Sequence, residues 1–169
     1  MSEGRPAAGD APLAVRPLER RDLDAAADLL VEAELCRREG LAERLVAAIE
    51  SAGGRCLAAE QEGRLVGVLL ASYNGFHVFL SHLAVARAHR RRGIGARLHG
   101  ELAGLARRDG ARGIIVDARL SVVGFFHALG YRTPGAVFLI RDVGEERPAA
   151  LCHSERGEAA GAPCPENVD

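Results

Sequence analysis

Apolar positions along the chain follow two rhythms. Leu23, Ala26, Leu30 and Ala33 fall three or four apart, one face of a helix running from about Asp22 to Arg37 with Asp22 as its N-cap. Leu41, Leu45, Ala48 and Ile49 repeat that spacing over residues 41–51, and Gly53 with Gly54 ends it. Ile94, Leu98, Leu102 and Leu105 mark a third helix. Between these stretches the pattern shortens. Residues 13–16 form a strand that Pro17 ends or places at an edge. Residues 55–60 and 64–71 flank Gln61-Glu62-Gly63 as a hairpin, and the second strand, nearly all apolar, belongs at the centre of a sheet. Tyr73-Asn74-Gly75 turns the chain into another strand from Phe76. Simple alternation there puts His77, Phe79, Ser81 and Leu83 on one face and Val78, Leu80 and His82 on the other.

Residues 111–118 form the next strand, parallel to the previous one across the third helix. A short helix closes at Gly130, and a last strand is expected at Val137, Phe138, Leu139 and Ile140. The pattern predicts one mixed α/β domain over residues 13–143. Residues 1–12 and the tail 144–169, with six acids and few aliphatic residues, are expected to be disordered.

Candidate chemistry concentrates in Leu83-Ala84-Val85 and the segment that follows. From Ala86 to Gly100 there are five arginines and no acid. Gly93 and Gly95 stand where strand turns into helix, where amides without a helical partner favour an anion. A phosphate or pyrophosphate site is the direct reading. No Gly-Lys-Ser/Thr follows, so this is not a P-loop, and the third glycine of a dinucleotide fingerprint is missing.

Arg90-x-x-Gly93-x-Gly95, after a strand ending Leu-Ala-Val, resembles the acyl-CoA motif of the GCN5-related N-acetyltransferase (GNAT) superfamily. Phe125-Phe126-His127-Ala128-Leu129-Gly130-Tyr131 resembles that family's second signature. The resemblance spans about residues 13–142. It implies the GNAT acyl-CoA N-acyltransferase fold, a mostly antiparallel sheet splayed between its fourth and fifth strands. It implies acetyl transfer from acetyl-CoA to an amine, by direct attack in a ternary complex. Residues Arg90, Arg91, Arg92, Gly93, Ile94, Gly95 and Ala96 would hold the CoA pyrophosphate, and the backbone of Leu83, Ala84 and Val85 would align the pantetheine. Substrate identity would reside in residues 30–54. His82 is the first candidate for general base and Asp117 the second, with His77, Glu34 and Glu60 also in reach of consideration. For His82 and Asp117 the competing reading, a solvated or hydrogen-bonded polar residue at a strand end, is the one the sequence favours. The family's tyrosine position holds Phe126, which has no hydroxyl and is expected near the CoA sulfur. Ser121, His127, Tyr131 or water would replace the missing proton donor.

Composition narrows the partners. Net charge is −1, so the basic charge is local and no nucleic-acid partner is expected. No apolar run spans a bilayer and no secretory core opens the chain, which points to the cytoplasm and away from membranes. Four scattered cysteines without C-x-x-C indicate neither metal nor disulfide framework. All 22 basic residues are arginine, so as an acyltransferase it has no lysine of its own to modify. The resemblance implies a small-molecule or peptide amine as acceptor and a monomer or homodimer. The alternative is a catalytically weak acyl-CoA-binding sensor or partner-binding module, motivated by Phe126.

Overall fold

The computed structural model describes residues 12–133. Its elements are β1 (Ala14–Pro17), α1 (Leu23–Glu32), α2 (Leu41–Ser51), β2 (Leu57–Gln61), β3 (Arg64–Tyr73), β4 (His77–Val85), α3 (Ile94–Arg108), β5 (Gly113–Val116) and α4 (Val123–Ala128). The strands lie side by side in chain order. The first three pairings are antiparallel, and β4 pairs with β5 in parallel. This is the mixed, mostly antiparallel sheet that the sequence predicts. The expected strand at Val137–Ile140 and the tail from residue 144 lie outside the described residues, as do residues 1–11.

Helices close both faces of the sheet. On one, α1 and α2 bury Leu30, Leu41 and Leu45 against Val68, Leu70 and Ala84. On the other, α3 buries Ile94, Leu98 and Leu102 against Leu69, Val78 and Leu80. β3 is packed on both faces, which is why its sequence runs almost without polar interruption. Gly67 sets how near α3 comes. A Cβ there would stand 3.1 Å from Leu98 Cδ1, 3.2 Å from Ile94 Cγ2 and 3.3 Å from Ala59 Cβ.

β5 spans only Gly113–Val116 of the expected 111–118, because the chain turns away from β4 after Val116, and the structure departs from the sequence pattern in three further places. α1 stops at Glu32 rather than near Arg37. Glu34 takes φ 57°, its N–H donates to Val31 O at 2.9 Å, and Leu35 N–H donates to Leu30 O at 3.0 Å. This is a Schellman closure made with glutamate where glycine is usual, so no glycine announces it.

Asp22, expected as the N-cap of α1, makes no side-chain cap there. It is buried and accepts from Glu19 N–H at 2.9 Å and from both terminal nitrogens of Arg16 at 2.6 and 2.8 Å. Arg16 also bonds Glu60 on β2 at 2.8 Å, tying the helix entrance to the sheet. The Arg16 guanidinium holds the Asp22 carboxyl below the usual carboxylate range.

The third departure is in β4. Leu70 pairs with His82 but Ala71 pairs with Leu80, leaving Ser81 as an extra residue whose Oγ donates to Leu70 O at 3.1 Å. Such a bulge reverses the alternation beyond it. Val78 and Leu80 face α3, and so do Leu83 and Val85; Ala84 faces α1 and α2. His82 shares the face of Ala84 and not, as simple alternation has it, that of Val78 and Leu80.

Replacing Gly67 with valine forces α3 away from β3. We expect a loss of about 2 kcal/mol in unfolding free energy, the usual scale of overpacking. Urea unfolding measures it, and an unchanged midpoint would contradict the close-contact account.

Candidate active site

β4 has unlike partners on its two edges. β3 accompanies it as far as Val85. β5 pairs only with its first half, His77 to Gly113 through Leu80 to Val116. Beyond Val116 the chain leaves the sheet through a 3-10 turn (Leu120–Val122) into α4. Residues 81–85 therefore have no strand on that edge among the described residues. Ala86 N–H donates to Val66 O at 2.9 Å. Antiparallel alternation then turns the backbone of Ala84 toward β3 and that of Leu83 and Val85 into the gap. Of the three residues expected to present backbone groups there, two do so by this register and Ala84 does not. Val85 O accepts from Arg90 Nε at 2.9 Å, so the first arginine of the motif folds back onto the end of the strand.

The loop after β4 is curled by left-handed conformations at Arg91 (φ 63°) and Gly93 (φ 79°). That succession turns neighbouring amides toward one concave side. Arg97 N–H to Gly93 O, 2.9 Å, is the first bond of the α-helical ladder, so the amides of Ile94, Gly95 and Ala96 precede it and cap the positive end of α3. Arg87, Arg90, Arg91 and Arg92 have no carboxylate partner among the described residues. Arg92 also lines a groove of about 650 Å³ on the β3 side of the loop, with Glu62, Arg64 and His89.

Gly95 faces the gap. A Cβ there would lie 3.3 Å from Phe125 Cζ and 3.8 Å from Leu83 Cδ2. The missing side chain is what lets the open strand, the helix start and α4 converge. Phe126 is buried beneath, with Phe125 and Tyr131 packed edge-on at 5.1 and 5.4 Å between centroids. The half-exposed ring nearest Gly95 is that of Phe125.

The alternative proton donors are differently engaged. The Tyr131 hydroxyl lies 3.0 Å from His99 Nε2, and burial pushes its pKa up to about 12. His127 Nε2 lies 3.1 Å from Thr133 Oγ1, and Ser121 is exposed.

The opposite side of the gap is roofed by the α1–α2 connection. Glu32 Oε1 accepts from Arg87 N–H at 3.0 Å, just past β4. Arg119, just past β5, donates to Glu34 O. These two ties straddle the gap. His82 is half-buried on this side, with Nδ1 3.1 Å from Ser81 Oγ. Burial, and secondarily the positive charge of Arg44 on α2, push its imidazole pKa below the ordinary value. His82 is thus neutral at pH 7 and able to accept a proton. Asp117 is exposed just past the end of β5. Ile114, Val116 and Ala118 pack toward α3, so alternation turns Asp117 to the same side as His82.

Ser81, Arg44, Glu32 and Arg119 escaped the sequence reading. A bulge serine looks like any other strand residue, and the other three act through contacts distant in sequence.

Residues 48–131 match the sequence model of the Acetyltransferase (GNAT) family. No curated protein sequence matches the chain. Among solved structures, the chain is similar to an acetyltransferase from Trypanosoma brucei, with TM-score 0.65, 20% identity and coverage of 77% of this chain and 99% of that one. An aminoglycoside N-acetyltransferase in complex with CoA gives TM-score 0.67 and 17% identity, covering 82% and 99%. A ribosomal-protein-alanine N-acetyltransferase from Brucella melitensis biovar Abortus 2308 gives TM-score 0.63 and 20% identity, covering 78% and 99%. At these identities the likeness establishes the fold.

The environment of His82 generates a titration prediction. Its NMR midpoint should fall below 6.5, and Arg44→Gln should raise it by removing a nearby positive charge. A wild-type midpoint above 6.5, or one that falls in the variant, would contradict the electrostatics described.

Proposed function

Because residues 48–131 form a GNAT acetyltransferase domain and the chain belongs to that family, we propose that it transfers the acetyl group of acetyl-CoA to an amine by direct attack within a ternary complex. The observation that carries this reading is the open edge of β4 at Leu83 and Val85, set beside the amides and arginines that open α3. Acetyl-CoA supplies the acetyl group already activated as a thioester. The chain supplies the rest. Amides of residues 91–96 hold the pyrophosphate, and the arginines add charge. Edge groups of Leu83 and Val85 align the pantetheine and polarise the carbonyl.

An alkylammonium with a pKa of about 10.4 must lose its proton before it attacks. Neutral His82 takes that proton, directly or through water, from the side roofed by α1 and α2. Asp117 is the second candidate. Phe126 carries no hydroxyl to return a proton to the departing thiolate, but a thiol pKa of about 8.5 makes that assistance dispensable. Cys36 and Cys56, the free cysteines among the described residues, fit a reducing cytoplasm. No helix among the described residues is long and apolar enough to cross a membrane.

Phe126 also favours a second reading, a sensor that binds acyl-CoA without turnover. The two readings share a binding test. Replacing Gly93 and Gly95 together with valine should weaken acetyl-CoA at least tenfold by calorimetry while circular dichroism stays native, since valine is strained at φ 79° and collides with Phe125. Unchanged affinity in a folded double variant would remove the anion-site argument.

They part on pH dependence. With an acceptor present, kcat/KM should rise from acid through an inflexion below 6.5, because the neutral imidazole is the active form. His82→Gln should lower it by about 100-fold and erase that limb. An unaltered profile would transfer the base role away from His82.

A further inference from the structure

The acceptor side of the gap carries a charge arrangement that says what kind of amine belongs there. α2 packs Leu41 and Leu45 into the same cluster as Leu70 and Ala84. Leu70 is the β3 partner of His82. At 100° per residue, Arg44 lies about 60° around α2 from Leu41, whereas Glu43 lies about 160° away, on the far side. Arg44 rather than Glu43 is thus the charged residue nearer the packed face of α2, and its positive charge is felt at His82.

Arg44 is not engaged in an ion pair among the described residues. Its terminal nitrogen donates to two backbone carbonyls, Glu39 O at 2.8 Å and Arg37 O at 3.4 Å. Both belong to the α1–α2 connection that roofs the gap. The guanidinium is thus held in place by neutral acceptors, with no carboxylate paired to it among the described residues. The neighbouring acids are otherwise placed: Glu32 is bonded to Arg87 N–H, Glu34 contributes its backbone oxygen to Arg119, and Glu39 meets Arg44 through its carbonyl.

Resting on the acetyl-transfer reading, we propose that the acceptor is an amine bearing a carboxylate, an amino acid or acidic peptide, whose carboxylate pairs with Arg44 while its amino group faces His82. A carboxylate is the planar acceptor that a guanidinium matches with two parallel hydrogen bonds. The same fixed positive charge disfavours the ammonium form of a nearby amine, which raises the share of the nucleophilic neutral form. A polycationic acceptor meets repulsion at this flank. Arg44 is here a specificity-determining residue.

The test uses the full chain. Acetyl-CoA binding is first measured by calorimetry, and CoA thiol release is then followed with glycine, glutamate and glutamyl dipeptides, their carboxamide analogues, spermidine and an aminoglycoside. Carboxylate-bearing amines should be preferred over their own amides by about tenfold or more in kcat/KM, as one charge-assisted contact warrants. Arg44→Gln should abolish that preference by slowing the carboxylate acceptors about tenfold more than their amides, whatever common change both share through His82. Arg44→Lys should restore part of it. Equal or faster turnover of amides or polyamines overturns the proposal alone, whereas acetyl-CoA binding with no turnover of any acceptor is the sensor's behaviour and overturns the acetyl-transfer reading as well. Failure to bind acetyl-CoA overturns the acetyl-transfer reading and this proposal with it.

Discussion

β4 is paired along its whole length on one edge and only half its length on the other, and the rest of the site is arranged around that imbalance. A backbone amide or carbonyl without a partner is costly once water is excluded. At Leu83 and Val85 those groups face a gap, and one of them, Val85 O, is taken by the Arg90 side chain. The gap persists because the chain leaves β5 after Val116 and is held aside by Arg119 on the α1–α2 connection. Ser81 contributes in a second way. By adding a residue to β4 it turns His82 toward α1 and α2 while Leu83 and Val85 still face α3.

The loop beyond β4 stores charge and conformational strain together. Arg91 holds a left-handed conformation that glycine would adopt without penalty, and four arginines follow one another in the loop without an ion pair among the described residues. Neither feature stabilises the folded chain. Both are intelligible if an anion joins the site, since an anion offsets the repulsion and satisfies amides that α3 leaves open. On the proposed function that anion is the pyrophosphate of acetyl-CoA.

Much of this was legible in the sequence, and the illegible parts share a cause. Helical and strand periods located α2 to the residue, and glycine positions marked the turns at Gly63, Gly93 and Gly130. The Arg90 to Gly95 motif marked the loop. What failed was whatever depends on a single inserted residue or on a partner far along the chain. The end of α1 was missed because Glu34 does the work usually given to glycine. Asp22 resembles an N-cap until Arg16 and Glu60 arrive from β1 and β2. The facing of His82 was misread because a period-2 pattern carries no mark of the bulge at Ser81. Arg44 is one of 22 arginines, and only the packing of α2 against Leu70 and Ala84 distinguishes it.

The central claim is that the open half of β4 and the start of α3 together receive acetyl-CoA. Backbone amide NMR of the uniformly labelled chain during an acetyl-CoA titration tests it most directly. The account predicts saturable shifts that are largest at Leu83, Val85 and Arg91 through Ala96, with β1 and β2 nearly silent. Saturable binding whose largest shifts lie elsewhere, or spectra unchanged at millimolar acetyl-CoA, would contradict it.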